Sequence, residues 1–123
     1  MTIEATNCHR AYAAQGVDAS ADFDSLIVDF KDMPMGSVHF FWRNLSGSLD
    51  ASSFKLFASN LPDIEFFDPE GTDIDGSEIV PHAANGSRIW IRDRLGFRYF
   101  LVRWTAGSVV SGEIDIVAIG KKS

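Results

Sequence analysis

From residue 25 onward, apolar and polar side chains alternate with period two over most of the chain, and no stretch holds a 3.6-residue period for three turns. The pattern predicts strands at 25–30 ("SLIVDF"), 37–44 ("SVHFFWRN"), 54–59 ("FKLFAS"), 64–68 ("IEFFD"), 87–92 ("SRIWIR"), 97–105 ("FRYFLVRWT") and 112–120 ("GEIDIVAIG"). Segments rich in Gly, Pro, Asp, Asn or Ser separate them. About seven to eight short strands with such turns predict an all-β fold, a sandwich or small barrel, and the expected form is an antiparallel, jelly-roll-like β-sandwich. The loop at 105–112 is short enough to predict an antiparallel hairpin joining the last two strands.

Alternate residues of a strand point to opposite sides, so each strand splits into two sets. The predicted core set is Val38, Phe40 and Trp42; Phe54, Leu56 and Ala58; Ile89 and Ile91; Phe100, Val102 and Trp104; and Ile114, Ile116 and Ala118. The opposite set should be polar in a monomer that faces water. Ser37, His39, Lys55, Glu113 and Asp115 fit, but Phe41, Phe57, Trp90, Tyr99 and Leu101 interrupt them, together with Arg43, Arg88, Arg92 and Arg103. Aromatic residues mixed with arginine are enriched at the centres of protein interfaces. Phe41, Arg43, Phe57, Arg88, Trp90, Arg92, Tyr99, Leu101 and Arg103 are therefore the candidate interface, covered by a neighbouring subunit or by an arm or loop of the same chain.

Residues 1–22 are Ala-rich, broken by Gly16, and lack alternation, which predicts an extended N-terminal arm ahead of a β-sandwich domain at 23–123. A strand around Ile3 or Tyr12 is compatible with this segment. The length of 123 residues fits one domain with one core. A formal net charge of -6 repels phosphate backbones and anionic lipid surfaces, so nucleic acid and membrane are not expected partners. No apolar run reaches the roughly 20 residues that span a bilayer, and the N-terminus has no signal-peptide pattern. The single cysteine, Cys8, excludes an intrachain disulfide and suits assembly in a reducing cytoplasm. The sequons at Asn44 and Asn85 are accordingly expected to be chance matches.

Chemistry-bearing motifs are sparse. His9, His39 and His82 are far apart with no cysteine or carboxylate at ligand spacing, so no zinc site is expected. Asp73, Asp75 and Gly76 echo the start of a calcium loop but lack its later oxygen ligands, and a solvated acidic turn is the expected form. The serines lie in turn contexts without a nucleophile elbow, Cys8 and His9 lack an orienting third group, and no phosphate-cradling glycine loop occurs. No catalytic, cofactor-binding or metal site is expected, and the chain is not read as an enzyme.

"FKLFASN" at 54–60 and "RIWIRDRLGFRYFLVRWTAGSVVSGEIDIVAIGKK" at 88–122 resemble a group of small β-sandwich virion proteins of tailed bacteriophages. In that group an F-K-L-x-A-S-N strand is followed by a strand, an L-G-F/Y-R-Y turn and a T-A-G-S-x-x-S-G-x-I-D-I hairpin. The chain departs from the pattern after Asn60, where a Gly and a Trp in a tight turn give way to a longer acidic stretch. The resemblance implies a head decoration or cement protein, or a related accessory capsid or tail component. Such a protein forms a homotrimer or homodimer, binds major capsid protein in the virion, and is assembled in the host cytoplasm. The competing expectation is a carbohydrate-binding sandwich in which Trp90, Phe57 or Tyr99 stacks on sugar rings.

Overall fold

The computed structural model describes residues 2–5, 11–47, 49, 53–69, 84–92 and 94–122. Its strands, in chain order, are β1 (Thr2–Glu4), β2 (Ala11–Asp18), β3 (Phe23–Asp24), β4 (Ile27–Asp29), β5 (Met35–Ser46), β6 (Phe54–Ser59), β7 (Asp68–Pro69), β8 (Gly86–Arg92), β9 (Tyr99–Trp104) and β10 (Ser111–Lys121). They form two packed sheets, and the protein is an all-β sandwich. One sheet runs β1-β4-β9-β6-β7, with β3 also on β9; the other runs β2-β10-β5-β8. The β1–β4 pair is parallel and the remaining pairs are antiparallel.

Alternation sets the core as expected on four strands. Val38, Phe40 and Trp42 of β5 and Ile114, Ile116 and Ala118 of β10 face Phe100, Val102 and Trp104 of β9 and Phe54 and Leu56 of β6, and each is at most 2% exposed. Aromatic contacts join the sheets, the Phe54 ring lying 4.8 Å from Phe40 and 6.3 Å from Trp42, while its 4.9 Å contact with Trp104 lies within one sheet. Trp104 also donates from Nε1 to the Ala19 carbonyl at 3.0 Å, which satisfies its one polar atom. Ala58, expected in the core, is half-buried near the end of β6.

Strand β8 presents the opposite faces from those expected. Trp90 stands directly across from Val38 and shares its inward side, whereas Ile89 and Ile91 stand across from His39 and Ser37 and point outward. Trp90 is 6% exposed; Ile89 and Ile91 are 49% and 57% exposed. The cause is space at this end of the sandwich: Trp90 stacks on Phe100 with ring centroids 4.9 Å apart and reaches Phe97 at 6.4 Å.

The expected hairpin between the last two strands is likewise absent. Among the described residues β9 pairs with β3, β4 and β6, and β10 with β2 and β5, so residues 105–110 cross from one sheet to the other. The crossing is fixed at both ends by backbone bonds: the Thr105 N–H donates to Ser53 O at 2.9 Å, and the Val110 N–H to Ser46 O at 2.9 Å. Between them Val109 turns into the core at 2% exposure. The segment at 64–68, expected as a strand, is a 3₁₀ turn at Ile64–Phe66 whose apolar side chains stay exposed, and only Asp68–Pro69 pairs with β6.

Within the segment read as an arm, β1 adds to β4 and β2 adds to β10, so each lengthens a sheet of its own chain. Where β10 begins, its register against β5 shifts between Ser111 and Glu113. Gly112 occupies this bulge at φ +126°, and a Cβ there would collide with the Leu45 side chain and lie 3.0 Å from the Arg43 carbonyl. Gly112→Ala should therefore cost about 1–3 kcal/mol of stability, read from urea midpoints, because both the backbone angle and the space select glycine.

Candidate interaction face

The outward side of the β2-β10-β5-β8 sheet follows from the same registers. β5 contributes Ser37, His39, Phe41 and Arg43, and β10 contributes Glu113, Asp115, Val117, Ile119 and Lys121. β8 adds Ile89 and Ile91, and β2 adds Tyr12 across from Val117. One row crosses all four strands in register: Tyr12, Val117, His39 and Ile89. Three of its four positions, Tyr12, Val117 and Ile89, are aromatic or aliphatic where a solvated antiparallel sheet would be polar. Tyr12 is 44% exposed.

Two shallow depressions meet on this face. One, of about 170 Å³, lies between Tyr12, His39, Phe41, Ile89 and Ile119. The other, of about 530 Å³, continues past Tyr12 and Phe41 to Gln15, Arg43, Asn85 and Asp115. At that end Arg43 Nη2 donates to Asp115 Oδ2 at 2.6 Å and lies 3.4 Å from Glu113 Oε2. The Gly16 N–H, at a backbone φ of +59°, donates to Asp115 Oδ1 at 2.6 Å. In the middle of the row the His39 ring lies 4.0 Å from Phe41, and burial there pushes its imidazole below the usual value.

The nine candidate interface residues do not share a surface. Phe41 and Arg43 belong to the face just described. Arg88, Trp90 and Arg92 lie on the inward side of β8, with the Arg92 guanidinium 5.0 Å over the Trp90 ring. Phe57, Tyr99, Leu101 and Arg103 lie on the outer side of the other sheet. Leu101, expected to be covered by a neighbouring subunit or by an arm or loop of its own chain, is buried within the chain at 1% exposure.

Arginines on that second surface have partners in their own chain. Arg103 donates to both oxygens of Asp24, at 2.8 and 3.2 Å, and lies 4.6 Å over the Phe57 ring. Arg98, just before β9, pairs with both oxygens of Asp29 and lies 5.1 Å over Tyr99. Tyr12, Ile89, Ile91, Val117 and Ile119 went unread as surface. The available signal was "VAIGK", whose positions 117 and 119 turn apolar on the side that Glu113 and Asp115 begin as acidic.

Cys8, His9, His82 and the turn residues Asp73, Asp75 and Gly76 lie outside the described residues. Among the described residues no three His, Cys, Asp or Glu side chains stand together as a metal cluster. Comparison with known proteins found no family model, no curated protein and no solved structure that matches the chain.

Proposed function

We propose that the chain is a non-enzymatic structural protein that self-associates and binds adjacent major capsid subunits, the capsid decoration or cement role implied by its resemblance to phage virion proteins. The observation that carries self-association is the apolar outward face of the β2-β10-β5-β8 sheet, where Ile89 and Ile91 are about half exposed, at 49% and 57%. Such a face favours burial against a partner at roughly 25 cal/mol per Å² of apolar area. The capsid as second partner is supported by the sequence resemblance alone. Light scattering of the full chain at micromolar concentration should return a dimer or trimer, and cosedimentation with assembled capsids should retain it. A monomer that ignores capsids contradicts the proposal.

A carbohydrate-binding role is the second reading, favoured by the depression of about 530 Å³ in which Tyr12 and Phe41 meet Gln15, Asn85 and Arg43. Its stacking platform is Tyr12 with Phe41, since Trp90 is buried. Glycan-array binding that is lost in Tyr12→Ala supports this reading, and an array without signal counts against it.

A further inference from the structure

We infer that a second copy of this chain covers the outward face of the β2-β10-β5-β8 sheet with its strands reversed, about a two-fold axis running along the Tyr12–Val117–His39–Ile89 row. The inference rests on the self-association proposed above and specifies its surface and orientation.

Size comes first. Four strands about 4.8 Å apart, over roughly seven residues at about 3.4 Å, give a face of about 19 by 24 Å. Two copies cover roughly 900 Å² of flat area before side-chain relief is counted, close to the ~1,000 Å² at which specific interfaces begin. A sheet on a sheet is also the packing that the molecule uses for its own core.

Charge selects the orientation. At one end of the face Asp18 stands across from Glu113, and Asp115 pairs with Arg43, which leaves three carboxylates against one guanidinium. At the other end, among the described residues, Lys121 stands across from the uncharged Met35. A two-fold axis along the strands would set acidic end on acidic end. An axis across the strands sets Asp18 and Glu113 of one copy over Lys121 of the other. The in-register row lies midway, since Val117 is four residues from both Glu113 and Lys121. A two-fold axis there stacks Ile89 on Ile89 and brings the two His39 rings close to each other.

Charge on His39 then opposes the contact. Besides His39, the titratable or charged groups on the same face are Tyr12 and Asp18 from β2, Arg43 from β5, and Glu113, Asp115 and Lys121 from β10, with none from β8 among the described residues. The carboxylates lie toward one end and Lys121 toward the other, so none sits in the row to neutralise two imidazolium rings.

Sedimentation velocity over a concentration series of the full chain at neutral pH and low salt tests this. Wild type should dimerise, and Ile89→Glu should raise Kd at least tenfold while leaving the urea midpoint nearly unchanged. Glu113→Lys should weaken the dimer at least fivefold, and adding Lys121→Glu should restore it. Lowering the pH from 7.5 to 5.5 should weaken the wild-type dimer but not His39→Leu. A wild type that stays monomeric overturns self-association altogether. An oligomer that survives Ile89→Glu overturns this surface alone, and loss in Ile89→Glu without rescue of Glu113→Lys by Lys121→Glu overturns the orientation.

Discussion

Trp90→Ala should lower the stability of the sandwich by about 3–5 kcal/mol, the range for deleting a buried large aromatic side chain. Ile91→Ala, one residue along the same strand, should cost less than about 1 kcal/mol. The contrast comes from the faces of β8: Trp90 is 6% exposed and stacked on Phe100, while Ile91 is 57% exposed. Removing the indole also strips the Arg92 guanidinium of its platform, 5.0 Å away. Trp90→Phe should recover more than half of the loss, because the buried indole Nε1 has no hydrogen-bond partner among the described residues and its removal forfeits no bond there. Urea denaturation followed by circular dichroism reads all three variants. A larger loss at position 91 than at position 90 would show that β8 is turned the other way.

This strand also marks where sequence patterning stops being informative. On β5, β9 and β10 one set of positions is apolar and the other carries charges near its ends, so parity picks the inward face: Val38, Phe40 and Trp42, or Phe100, Val102 and Trp104. On β8 one set is Ile89 and Ile91 and the other is Trp90 between two arginines, so both are apolar at their centres. Parity then decides nothing, and the deciding quantity is the distance to Phe97 and Phe100 across the core. Loop length failed at 105–110 for a related reason. Six residues, at up to about 3.3 Å each, can turn a hairpin or bridge the ~10 Å between packed sheets. The choice is made by bonds to Ser46 and Ser53, at least 52 residues earlier in the chain.

The positions of the interface candidates on their strands were partly legible for the same physical reasons. Phe41 and Arg43 stood out because they break a polar face on a strand whose parity is clear. Arg103 looked like an interface arginine because its partner, Asp24, lies 79 residues away in sequence. Tyr12 was hidden in an Ala-rich segment without alternation, although β2 pairs with β10 over most of its length. Small residues there, Ala11, Ala13 and Ala14, are buried, and their size mutes the hydrophobic signal that marks a strand.

Asp29→Ala should cost about 2 kcal/mol at pH 7, and the cost should shrink as the pH falls. The carboxylate, 9% exposed, accepts Arg98 Nε at 2.9 Å, Arg98 Nη2 at 3.1 Å and the Lys31 N–H at 2.8 Å. Lys31 lies at φ +52°, so the same side chain holds the tight turn that follows β4. Burial works against the charged form, but the Arg98 hydrogen bonds, the Lys31 N–H and the two nearby cations outweigh it and hold Asp29 below the usual carboxylate value. A pKa lowered by folding adds stability above the unfolded carboxylate's value, about 4, and that stability is lost as the pH drops through the lower folded value. The wild type should thus lose its advantage over Asp29→Asn on acidification, with the two urea midpoints converging as the pH falls below the unfolded carboxylate's value and through the lower folded one. Arg98 is half exposed, at 50%, so water rehydrates it in the variant, and the cost stays at the lower end for breaking an ion pair. A gap that stays constant from pH 7 to pH 3 would mean that Asp29 acts through its shape and not through its charge.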